Sequence, residues 1–134
     1  MKTRITLFVL FLALLSCEER DLNGNDEFLL GTYKGEFFRL SPLSKPRASN
    51  VILNFTPNSF SGSSDEAKYP AICHGTYHIS GNEIEFIDEC PWTAEFDWTL
   101  ILSGKYKIRI EGDKLEMWKE VDGNIDRYEL VYTK

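Results

Sequence analysis

Residues 72–90, ICHGTYHISGNEIEFIDEC, decide the fold. At their centre Gly81-Asn82 is a two-residue hairpin turn of the primed kind. It pairs Ser80 with Glu83 and fixes every pair beyond: Tyr77 with Phe86, His74 with Glu89, Cys73 with Cys90. Counted outward from the turn, the cysteines fall on a non-hydrogen-bonded pair, whose short Cα separation suits a cross-strand disulfide. Turn and cysteines are independent signals that agree, so the register predicts a Cys73–Cys90 bridge. Alternation then sends Tyr77, Ile79, Ile84 and Phe86 to the core face with the bridge. His74, Thr76, His78, Glu83, Glu85 and Glu89 take the outer face.

The same pattern of short alternating segments and turn residues continues on both sides. It predicts strands over 29–40, 49–56, 58–64, 72–80, 83–90, 95–102, 106–111, 114–121 and 125–133, with no stretch of helical period. A three-residue loop 103–105 pairs Leu102 with Tyr106, Leu100 with Ile108 and Trp98 with Ile110. Gly112-Asp113 pairs Ile110 with Leu115 and Ile108 with Met117. The turn at Asp122-Gly123-Asn124 can be drawn two ways, both of which place Tyr128, Leu130 and Tyr132 inward. The result is all-β, an antiparallel up-and-down meander of eight or nine strands with an aromatic interior. Nine strands cannot close a fully antiparallel ring, so either 58–64 is an irregular edge or the barrel stays open. Tight links gather at one end (56–58, 81–82, 103–105, 122–124). Longer ones gather at the other (41–48, 65–71, 91–94), like the mouth of a cup, with 112–113 the one short member there. The first strand enters at the tight end.

The chain has 134 residues, 43% apolar and 27% charged, an ordinary globular composition with room for one core. Its net charge of -6 becomes -8 if the first 16 residues, which carry Lys2 and Arg4 and no acid, are removed. That balance argues against a phosphate-neutralising nucleic-acid binder. Lys2 and Arg4 precede an apolar run over 5–15 broken only by Thr6, about half the ~20 residues a membrane span needs, as in a secretory leader. Leu14-Leu15-Ser16-Cys17 follows and resembles the lipobox of bacterial lipoproteins. The resemblance implies cleavage before Cys17, its thioether lipidation and acylation of the new amino terminus. The alternative is an ordinary leader cleaved nearby, with Cys17 free. Lipidation of Cys17 leaves Cys73 and Cys90 as an even pair for an oxidising compartment. The expected organisation is a leader over 1–16, lipidated Cys17 with a polar tether over 17–28, and one β-domain over 29–134. Glu18 and Glu19 resemble the surface-export signals of some Gram-negative lipoproteins. The expected location is therefore the cell envelope, lipid-anchored in a Gram-negative outer membrane.

Gly31-Thr32-Tyr33 at the head of the first strand, the meander, and Arg127 in the last strand together resemble the lipocalins. In that family Gly-x-Trp opens the first strand, and an arginine from the last strand packs over the tryptophan at the closed end. Tyr33 stands in the tryptophan's place, and alternation turns Arg127 outward. The resemblance implies a lipocalin-like barrel that takes a small apolar molecule in its mouth.

Candidate chemistry is sparse. His74 with Glu89 and His78 with Glu85 form two outer-face pairs, but residues four apart in a strand lie about 13 Å apart, too far to share an ion. No metal and no cofactor are expected. The motifs of serine hydrolases, zinc proteases and phosphate loops are absent. Glu95 and Asp97 flank Phe96 and suggest a paired acid and base, a pattern more common on a solvated edge. Arg39, Asp88 and Lys119 have inward parity near strand ends, Arg39 and Asp88 toward the mouth and Lys119 toward the tight turns. The loop 41–47, with Pro42 and Pro46, is a lid, a partner contact or an inert surface loop. Trp92 is a rim contact or a cap on the core, and the sequon at Asn54 is expected to carry nothing.

The expectation is a non-catalytic binder of a small, largely apolar ligand, with Arg39 and Asp88 at its polar head and Phe55, Tyr77, Phe86, Trp98 and Tyr128 around its body. The alternative is an envelope structural or protein-interaction module whose barrel is filled by its own aromatics. An eight-stranded barrel is compatible with either.

Overall fold

The computed structural model describes residues 29–93 and 95–134; Cys17 and the segments expected to form a leader and a tether lie outside them. Eight strands follow one another: β1 (Gly31–Ser41), β2 (Ser44–Phe55), β3 (Ser59–Ser64), β4 (His74–Ser80), β5 (Glu83–Asp88), β6 (Gly104–Glu111), β7 (Lys114–Val121) and β8 (Asn124–Thr133). Each pairs antiparallel with the next, and β1 pairs with β8, so the meander closes into a barrel without a free edge.

The 72–90 hairpin has the register its turn demands, with Ser80 opposite Glu83, Tyr77 opposite Phe86 and His78 opposite Glu85. The amide of Glu89 donates to the carbonyl of His74 at 3.0 Å. One pair further on, Cys73 and Cys90 are joined, with Cα atoms 6.3 Å apart. The hairpin at Gly112-Asp113 also holds, Ile110 facing Leu115 and Ile108 facing Met117.

Residues 95–102 do not form a strand. The edge of β5 they were expected to border is taken by β6, with Ile84 opposite Tyr106 and Glu85 opposite Lys105. The carboxylate of Asp97 instead accepts from the amide of Thr99 and starts a single 3-10 turn, Trp98–Leu100. Losing that strand makes the count even and lets the ring close. It also reverses the direction of everything after it, so 112–113 joins the tight end and 122–123 the end with the long links. Residues 41–48 are not a loop either. Strands β1 and β2 run on to a two-residue tip at Pro42-Leu43, and Pro46 falls beside a register shift, where an absent N–H breaks no ladder bond.

Inside, rings touch from one end to the other. Tyr69 meets Phe37 (5.4 Å between centroids), and Phe37 meets Tyr128 (4.9 Å). Tyr128 meets Tyr106 (5.9 Å), Tyr106 meets Phe86 (5.7 Å), and Phe86 meets Phe60 (5.0 Å) and Phe55 (6.4 Å). Phe55 meets Tyr77 (5.3 Å) and Tyr33 (5.7 Å), which rests on Tyr132 (5.5 Å). Most of these pairs are edge-to-face, Phe37–Tyr128 and Phe86–Phe55 being tilted, and aromatic contacts of this kind contribute about 0.5–1.5 kcal/mol each beyond the apolar area they bury. At the tight end Leu29 is buried, and its N–H donates to the hydroxyl of Tyr77 at 2.9 Å. Two glycines make this packing possible. A Cβ on Gly35 would stand 1.9 Å from the carbonyl oxygen of Glu129, and one on Gly75 1.9 Å from that of Ile87. Only glycine lets these strand pairs come so close.

Candidate functional site

The feature that sets one end of the barrel apart is the link over 89–103, which leaves β5, crosses the mouth and returns to β6. It begins at the disulfide. The indole N–H of Trp92 donates to Asp88 at 2.6 Å, and the rings of Trp92, Phe96 and Trp98 follow at 5.7 and 6.1 Å, with Lys68 5.0 Å above Phe96. Backbone bonds staple its second half to the β3–β4 link, Ala71 N–H to the carbonyl of Leu100 (3.0 Å) and Leu102 N–H to the carbonyl of Ala71 (2.9 Å). Leu102 drops into the core.

Beneath the link lies a charged layer. Arg39 donates through Nε and Nη2 to both oxygens of Asp126 (2.6 and 2.8 Å). It also reaches up, through Nη1 to Asp97 (2.9 Å) and through Nη2 to the hydroxyl and carbonyl of Thr99 (3.0 and 3.3 Å). Asp126 is 1% exposed, so a bidentate, charge-assisted pair is what makes its burial tolerable. Lys119 donates to the carbonyl of Ser103 at 2.9 Å, and its ammonium stands 4.6 Å from the centre of the Tyr106 ring. The link over 89–103 thus lies over the mouth as a lid: one guanidinium joins the barrel wall to it, and one ammonium pins its last residue.

This setting moves several ionisations. The hydrogen bond from Arg39 to Asp126 holds the guanidinium charged beyond its ordinary range. The Thr99 hydroxyl, followed by Arg39, lowers the Asp97 carboxyl. Burial lowers Lys119, with Asp126 opposing. Burial raises Tyr106 and Tyr128, and the Asp126 charge adds to both. The hydroxyl of Tyr128 is buried and has no hydrogen-bond partner among the described residues.

The expected site residues do not converge. Phe55, Tyr77 and Phe86 do meet, in the middle and tight end of the core. Tyr128 and Arg39 belong to the layer under the lid. Asp88 holds Trp92 at the rim rather than meeting Arg39. Trp98 is not inward at all: it is 57% exposed, because the 3-10 turn replaces the strand that would have aimed it at the core. Lys119 stands with Arg39 at the mouth. Asp97 is a lid anchor, while Glu95 is exposed on the link. Arg127 lies on the outer wall, paired with Glu116 and Glu129, as alternation requires. It does not cover Tyr33. The residue missed was Asp126, whose inward parity follows from that of Tyr128 and Leu130. Its register partner is Arg39.

Comparison with protein-family models, with curated proteins and with solved structures found no match to this chain.

Proposed function

We propose that the chain is an exported lipoprotein, anchored through Cys17, that acts as a non-catalytic interaction module of the cell envelope. The observation that carries this reading is the unbroken run of ring contacts from Tyr69 to Tyr132, which occupies the interior a ligand would need. Leu102 of the lid, with Arg39 and Lys119 of the wall beneath it, extends that filling to the mouth. Two exposed apolar side chains, Leu43 at the β1–β2 tip and Trp98 on the lid, stand at the end opposite Leu29, where the tether would join. The module would therefore hold its contact surface away from the membrane. Its resemblance to lipocalins belongs to this reading as architecture, without the hollow calyx.

A second reading, the small apolar ligand in the mouth, is favoured by one observation. The Tyr128 hydroxyl is buried without a partner under a lid, the situation a ligand's polar atom would relieve. Native mass spectrometry of the protein purified gently from its host in mild detergent separates the two. The filled module gives the same mass native and denatured, two hydrogens short for the disulfide and including the covalent lipid. Extra mass lost on denaturation overturns it in favour of the ligand reading. The anchor is tested apart, since Cys17→Ala should leave the membrane fraction and its retention there would refute lipidation.

A further inference from the structure

The disulfide has a companion that alternation does not foresee. Counted along β4, His74 should turn away from Cys73. At this frayed end of the ladder its imidazole instead folds back, with Nδ1 3.2 Å from the sulfur of Cys73 and 3.0 Å from that of Cys90. The three ligand atoms lie within 4.8 Å of one another. The sulfurs are half-buried and the imidazole exposed. Beside them opens a groove of about 320 Å³ on the outer wall, lined by Ser59, Ser61, Thr76, His74 and Glu89, where β3 and β4 share only a short ladder.

We propose that Cys73, His74 and Cys90 form a redox-gated site for a thiophilic divalent cation, zinc(II) in chemical class. With the bridge closed there is no thiolate to bind. A dithiol reductant opens it, passing two electrons and two protons to the sulfurs and becoming a disulfide itself. The two thiols then release their protons as the cation binds. Little needs to move. At Zn–S of about 2.3 Å and Zn–N of about 2.0–2.1 Å, tetrahedral angles place the sulfurs roughly 3.8 Å apart and each about 3.5 Å from the nitrogen. The nitrogen is already within half an ångström of that. The Cα separation of 6.3 Å leaves room for the sulfurs to part by side-chain rotation. Two thiolates and an imidazole select zinc over magnesium or calcium. The fourth position opens toward the groove, where water completes the shell. The site lies at the foot of the lid, so occupancy would restore a cross-link that reduction removes.

Cobalt(II) is the probe. The full-length protein in detergent is reduced with a water-soluble phosphine, which becomes its oxide while water supplies the oxygen and both protons, and is then titrated with cobalt without oxygen. The expected result is saturation at one equivalent, with visible bands of tetrahedral cobalt and a near-ultraviolet thiolate charge-transfer band, both abolished by zinc. His74→Ala should weaken binding by at least about tenfold. The unreduced protein should give no bands. Absence of bands after reduction, or unchanged affinity in His74→Ala, overturns the proposal. If reduction itself loosens the fold, cobalt should restore the near-ultraviolet circular dichroism of the oxidised protein, and failure to do so overturns it equally.

Discussion

At the scale of single residues, the layer under the lid contains two kinds of buried polar atom with opposite consequences. Asp126 is fully satisfied by Arg39, and removing one partner of such a pair strands the other. Asp126→Ala should therefore cost about 3 kcal/mol in a chemical-denaturation experiment, most of it from Arg39 left with only the half-exposed Asp97 as counter-charge. Tyr128 is the reverse case. Its hydroxyl is buried with only the neighbouring Tyr106 phenol beside it, so Tyr128→Phe removes a desolvated group that gains little. Denaturation of that variant should show unchanged stability or a gain of up to about 1 kcal/mol. A loss of comparable size would mean that the hydroxyl has a partner in solution.

At the scale of elements, the lid is held by its buried side chains more than by its exposed rings. Leu102→Ala should destabilise by about 2–4 kcal/mol, since a buried leucine leaves a cavity in a tightly packed core. Trp98→Ala, at an exposed position, should cost about 1 kcal/mol or less. Equal losses would contradict the assignment of Trp98 to the surface. The same element marks the limit of what the residues alone disclosed. The 72–90 hairpin was legible because a two-residue turn and two cysteines specify one register redundantly. The hairpin at 112–113 was legible because its two-residue Gly-Asp turn sets Ile110 against Leu115 and Ile108 against Met117 on one face. The stretch 95–102 imitates this alternation with Phe96, Trp98 and Leu100, but periodicity says nothing about which edge is vacant. That edge was filled from further along the chain, by β6. Arg39 had the right parity and the right end; its partner Asp126 was hidden because a charged residue at inward parity looks like a failure of the pattern rather than part of it.

At the scale of the molecule, the buried phenols set the alkaline limit. Tyr77, Tyr106 and Tyr128 are all raised above 10 by burial, so the fold keeps protons there that an unfolded chain gives up. Stability therefore falls as pH rises beyond 10. Lys119 acts oppositely, because raising pH through its lowered value toward 10.5 relieves a buried charge, but it is one group against three. A titration followed by phenolate absorbance should show these three of the six tyrosines ionising only together with loss of the near-ultraviolet dichroism. Smooth ionisation of all six in the folded protein would refute their burial.

Closure of the ring by β1 against β8 also decides how the molecule answers a pull. β1 is gripped along both edges, by β2 and by β8, and its first residue sits at the end away from the lid. A force entering at Leu29 and resisted at the lid runs along the strand. It loads both ladders in shear, with every transverse hydrogen bond sharing the strain at once. A force between Leu29 and Lys134 acts across the ladder instead, because Thr32 lies opposite Thr133, and it parts β1 from β8 one pair at a time. The same barrel is thus mechanically stiff when drawn from end to end and easily unzipped when drawn by its two termini.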